Sequence, residues 1–191
     1  MNEQPNIILK ITLFNHIRVT FGYLLIFAGL IFAIQYTGGI DFSNIQIDLK
    51  IIIAFLVLFV LLALITLPAL FLHIDYTIRN RQEEYEIRNK KIIRRKNGIE
   101  NVYNVEDIGE IYLYHHKVKT NFERYPWSHY HFAKIEMKSG EILYLTHLLY
   151  PSGIEKILDK YIKVSYWSVK WWFPTTLCCP PSDMYNEDEF E

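Results

Sequence analysis

The stretch NKKIIRRKNGIENVYN, residues 89–104, decides how the C-terminal half of the chain is read. Lys91–Lys96 and Ile99–Asn104 are two short runs joined by Asn97-Gly98, a pair that suits a type I′ hairpin turn because both positions must take positive φ. Pairing across that turn sets Arg95 opposite Glu100 and Ile93 opposite Val102, an ion pair and an apolar pair where a hairpin favours them. The five cations Lys90, Lys91, Arg94, Arg95 and Lys96 therefore lie on and beside a strand, and some have a carboxylate in reach. Three uses compete for them: a membrane-topology signal, contact with anionic lipid headgroups, or a solvated strand face. Glu83, Glu84, Glu86 and Glu100 dilute the charge, and nothing resembling an RNA-binding aromatic signature accompanies it.

Outward from the hairpin, the hydrophobic period is two. IDYTIR (74–79) and EEYEIR (83–88) are expected as strands, and GEIYLYHHKV places Ile111 and Leu113 on one face and Tyr112 and Tyr114 on the other. In FAKIEMKSGEILYL, a three-residue loop with Gly140 left-handed sets Ile135 against Leu143 and Ala133 against Leu145. A two-residue loop would exchange the faces, so the longer loop is expected. Pro151 ends that strand. Ser152 with Glu155 is a candidate capping box for a helix carrying Ile154, Ile157, Leu158, Tyr161 and Ile162.

The N-terminal half differs. No charge interrupts the chain between Arg18 and Asp41, or between Lys50 and Asp75. Roughly 20 apolar residues at about 1.5 Å each cross a ~30 Å hydrocarbon core, so two transmembrane helices are expected at about 19–38 and 51–73. Lys10 and Arg18 before them, and the cations after them, place both termini in the cytoplasm of a multi-pass inner (plasma) membrane protein. Neither run holds an ionisable Lys, Arg, Asp or Glu, which points to an anchor rather than a pore. The expected domains are a cytoplasmic segment 1–18, a transmembrane hairpin 19–73, a folded domain 74–173 and an acidic tail 174–191.

The strands YEIRNKKIIRRKNGIENVYNVEDIGEIYLY, the hairpin FAKIEMKSGEILYL and the helix from Ser152 resemble a bacterial pleckstrin-homology-like (PH-like) domain over roughly residues 75–165. The resemblance implies a strongly bent, seven-stranded antiparallel sheet or barrel capped by a C-terminal helix. Bacterial members often carry a transmembrane helix pair. No phosphoinositide-cradling loop carries over residue by residue. The expected fold class is thus a transmembrane hairpin plus an α+β cytoplasmic domain.

No nucleotide-binding loop, nucleophile elbow or zinc-protease helix is present in the sequence. Asp107 and Glu110 are expected as surface carboxylates. His115, His116, His129 and His131 are expected as strand histidines, with no ligand spacing that calls for a metal. Cys178 and Cys179 are adjacent and suit two free thiols better than a disulfide. No enzyme activity, cofactor or nucleic-acid partner is expected. The expected function is a binding or scaffolding module at a membrane surface, its partner a protein, a second copy or anionic headgroups. Candidate contacts are Arg94, Arg95, Lys96, Tyr125, Trp127, Trp171 and Trp172. The alternative is an accessory subunit of a transport or envelope complex acting through its helices.

Overall fold

The computed structural model describes residues 6–36, 49–116, 127–171 and 173–177. Strand β1 (Ile7–Lys10) precedes two helices, α1 (Leu13–Tyr36) and α2 (Leu49–Arg79). It then pairs antiparallel with β2 (Glu83–Arg88), beyond which lie β3 (Lys91–Lys96) and β4 (Ile99–Asn104). The second sheet has the order β7-β6-β5-β8, from β5 (Ile108–His116), β6 (His131–Met137), β7 (Ile142–Thr146) and β8 (Trp167–Trp171). All its pairings are antiparallel except β8, which runs parallel to β5. A short helix α3 (Ile154–Ile157) continues as one π-helical turn to Ile162.

Local chemistry accounts for the registers. Asn97 and Gly98 have φ of 52° and 80°, as the two-residue turn demands, and Arg95 faces Glu100 while Ile93 faces Val102. Gly140 has φ of 86°, and Ile135 faces Leu143 while Ala133 faces Leu145. These expected pairings form as read.

Alternation along the strands builds two cores. Leu9, Tyr85, Ile87 and Ile92 of the first sheet meet Ile111, Leu113, Ile135 and Leu143 of the second, and Ile154, Ile157 and Ile162 close one side. The opposite face of the second sheet is covered too. Tyr112, Tyr114 and Phe132 pack against Ala69, Leu72 and Tyr76 of α2, with Tyr114 and Phe132 stacked at 4.7 Å between centroids. The second sheet is therefore a middle layer. Burying each such side chain is worth about 1.5–3 kcal/mol, so the helices contribute heavily to this face.

The C-terminal segment is tied to α2 by polar bonds. Buried Asp75 accepts from the Thr176 amide at 2.7 Å, the Thr176 hydroxyl at 2.6 Å and the Thr175 hydroxyl at 2.9 Å. The Tyr76 hydroxyl donates to the Pro174 carbonyl at 2.6 Å.

Four expectations are corrected. Among the described residues no helix is long and apolar enough to cross a membrane, which overturns the transmembrane hairpin and the multi-pass inner-membrane placement with cytoplasmic termini. The two helices are instead inserted between paired strands β1 and β2, and their described ends are bound into the domain. Asn15 of α1 donates to the Leu148 carbonyl, and His73, Asp75 and Arg79 of α2 hydrogen-bond Tyr130, Thr175 and Thr176. Residues before α1 are part of a sheet rather than a separate segment, because β1 supplies the edge that β2 lacks. The stretch 74–79 is the last part of α2 and not a strand, since Tyr76 and Leu72 must share the helix face that meets the second sheet. The capping box does not form: Gly153 is the N-cap of α3, with no side-chain cap bond. Its φ of 111° suits glycine, and a Cβ there would lie 2.8 Å from the Glu155 carboxylate.

Candidate functional site: a histidine-rich seam

The basic stretch is largely neutralised within the first sheet. Arg94 Nη2 lies 2.6 Å and Lys96 Nζ 2.8 Å from the same Glu83 carboxylate oxygen, and Arg94 also reaches Glu141 at 3.2 Å. Glu83 is 5% exposed and further accepts from Asn80 and from the Tyr85 hydroxyl. Burial alone would raise its carboxyl pKa. The bonds from Lys96, Arg94, Asn80 and Tyr85 more than reverse this, holding it below the usual range. Arg95 forks across Glu84, Glu86 and Glu100 at 3.1, 2.8 and 2.8 Å. These cations serve as rivets between strands.

The aromatic candidates do not gather around that hairpin. Trp127 is 8% exposed and packs edge-on to Phe173 in the core shared with α2. Trp171 ends β8 on the second sheet, where it pairs with His116. Tyr125 and Trp172 lie outside the described residues, as do Cys178, Cys179 and most of the acidic tail.

What the fold does gather is histidine. The chain has seven, and every one lies where the helices, the second sheet and the 147–155 connection meet. His16 Nδ1 on α1 stands 2.8 Å from His73 Nε2 on α2, so one proton is shared between two facing nitrogens. His73 Nδ1 is 3.1 Å from the Tyr130 hydroxyl, and the Tyr130 ring contacts His129 and His147. His147 lies edge-on to His131 at 4.7 Å between centroids. His131 Nδ1 donates to the His129 carbonyl at 2.8 Å, which leaves Nε2 to accept the Ile154 amide at 3.2 Å. His115 sits opposite His131 across β5 and β6 and hydrogen-bonds Ser168 at 2.7 Å.

Burial disfavours the charged form of His73, His115, His129, His131 and His147. It lowers the pKa of His115 and, despite nearby Glu155, of His131. Burial and then the neighbouring His16 lower that of His73. His147 is pushed down to about 2, first by burial and then by His131 and His129. Neutral imidazoles present one donor and one acceptor nitrogen each.

Five of the rings, those of His115, His116, His129, His131 and His147, line a cleft of about 600 Å³, with Ser128, Ser168, Tyr166 and Glu155 in its wall. Among the described residues, His147 Nδ1 is buried with no hydrogen-bond partner. No group of three or more His, Cys, Asp or Glu among the described residues is arranged to hold a metal ion. His115, His116, His129 and His131 were expected as surface strand histidines, yet His116 is 2% exposed and the others line the cleft. His16, His73 and His147 carried no local sequence signal. Only their excess over the chain's modest size, with four of the seven within residues 115–131, pointed toward a cluster.

Comparison with curated proteins and with solved structures returns no match. A family model described as PH domain matches residues 8–154, a span that starts in β1, takes in both inserted helices and strands β2 to β7, and ends at the first residue of α3. The two packed sheets and the closing helix agree with that assignment, and by a match over more than half its length the chain belongs to the PH domain family.

Proposed function

We propose that this PH domain protein is a non-enzymatic binding or scaffolding module, and that a polar group of a partner protein enters the histidine-lined cleft. The observation that carries this reading is the His147 Nδ1 atom. It is buried in a cleft of about 600 Å³ and has no hydrogen-bond partner among the described residues. Buried polar atoms in folded proteins are nearly always paired, so an unpaired one on a residue that lines a cleft marks a place that a ligand group can complete. The volume falls in the range of about 300–1,000 Å³ typical of binding clefts. The hairpin cations support a recognition role less well, because their carboxylate partners lie within the same chain.

The test is site-specific photocrosslinking in cells. A benzophenone side chain placed at Glu155, on the rim, is expected to capture a discrete protein partner, and one placed at Lys96 is not. Replacing His147 by Phe should abolish the Glu155 adduct while leaving the fold intact by circular dichroism. Capture at Lys96 alone would move the recognition surface back to the hairpin. A second reading, in which the helices form the working surface, is favoured by the exposed apolar side chains of α2.

A further inference from the structure

Two buried polar atoms on residues that line the histidine-rich cleft, His147 Nδ1 and Ser128 Oγ, have no hydrogen-bond partner among the described residues. Ser128 adjoins His129, whose ring lies 5.7 Å from that of His147 between centroids. His147 itself is 5% exposed. Other polar groups of the wall are already engaged. His131 uses both ring nitrogens, on the His129 carbonyl and the Ile154 amide, and His115 Nε2 is held against Ser168 Oγ. No partner at Nδ1 fixes the tautomer of His147, so that nitrogen can donate or accept. The Ser128 hydroxyl can do both.

Formal charge is sparse around these atoms. With the histidines neutral, Glu155 is the one charged residue of the lining, and its side chain is 48% exposed and 3.6 Å from His131 Nε2. Arg18 and Lys170 are exposed and lie outside the lining, and Arg18 donates to Ser152 Oγ at 3.4 Å. A carboxylate or phosphate buried at His147 would meet no cation in the wall, and an ammonium there would meet no buried carboxylate. An ion taken out of water without its counter-charge is costly. The depressed pKa of His147 points the same way, because a ring that resists protonation does not supply the missing positive charge.

We infer, on the basis of the binding reading above, that the group entering this cleft is uncharged and both donates and accepts: the carboxamide of a partner's Asn or Gln side chain. Its NH2 and C=O can answer Ser128 Oγ and His147 Nδ1 in either direction, whereas a carboxylate only accepts and an ammonium only donates.

The experiment is an NMR titration of the full chain, carrying 13Cε1-labelled histidine, at pH 7.5. The His147 signal is assigned by its loss in His147→Phe. Benzamide, benzoate and benzylammonium serve as probes of one shape and three charges. Benzamide is expected to shift the His147 signal saturably in the millimolar range, with the two ions at least about tenfold weaker. Ser128→Ala should weaken benzamide by about fivefold, the scale of one hydrogen bond, with the other histidine signals in place. Benzoate or benzylammonium binding as tightly as benzamide overturns the inference, and this comparison needs no variant. So does benzamide binding that Ser128→Ala leaves unchanged. If no probe shifts His147 while a benzophenone at Glu155 still captures a partner, the carboxamide assignment fails and the binding reading stands. If both experiments are blank, both fail.

Discussion

The hairpin of the first sheet and the histidine seam are both dense in titratable groups, and they are built in opposite ways. In the hairpin, Arg94, Arg95 and Lys96 each meet a carboxylate on a neighbouring strand, and charge is kept and cancelled. In the seam, like groups from five distant segments meet, and burial disfavours charge on His73, His115, His129, His131 and His147. Cancelled charge is insensitive to pH near neutrality. Suppressed charge is not, because protons taken up on unfolding are withheld on folding.

The sharpest way to break this contrast is through Glu83. Replacing it by Ala takes from the partly buried Arg94 its 2.6 Å ion pair, leaving Glu141 at 3.2 Å, and removes a partner of Lys96, Asn80 and Tyr85. Urea unfolding should show a loss of about 3 kcal/mol, the scale for breaking a buried pair from one side. Arg88→Ala removes only a half-exposed pair with Glu86 and should cost less than about 1 kcal/mol. Equal costs would mean that Glu83 is no rivet.

Acidification probes the seam. An unfolded imidazole takes up a proton near its ordinary value of 6.5, while folded His147 resists until about 2 and folded His131 and His73 are also lowered. Their stabilisation is complete above about pH 6.5 and declines as pH falls toward the folded values. Each strongly suppressed ring contributes a slope of about 1.4 kcal/mol per pH unit in that window. His147→Phe should flatten the slope measured between pH 6.5 and 5.5. An unchanged slope would show that the seam is not the acid-sensitive element.

A smaller effect is expected from Asp75→Asn, which weakens three charge-assisted bonds to Thr175 and Thr176. A loss of about 1.5–3 kcal/mol follows from the usual worth of hydrogen bonds to a charged group, with faster proteolysis near residue 175. Smallest is Gly98→Ala in the hairpin turn, which should cost about 1 kcal/mol because alanine resists a φ of 80°.

The difference between the two regions also explains what could be read beforehand. Arg95 and Glu100 stand five residues apart around a turn whose type Asn-Gly dictates, so their pairing is local information. Ile135 against Leu143 follows from alternation and one glycine. His16 and His73 lie on two helices, and nothing near either residue in sequence names the other. The apolar runs misled for a related reason. Length and hydrophobicity show that a segment must be covered, but not by what, and strand β1 ahead of α1 was too short to reveal that the helices interrupt a sheet. Tyr112 and Tyr114 were placed on the correct face without any sign that α2 would cover it.

That insertion has a consequence for how the chain folds. Ile7 must pair with Ile87, across both helices, before the first sheet has its fourth strand. Local hairpins such as β3–β4 close short loops and form early, whereas closing so long a loop carries an entropic cost that only late contacts repay. On a ribosome, β1 emerges first and waits longest. Until it docks, β2 presents an open edge with unpaired backbone groups, the kind of surface on which two nascent chains exchange strands.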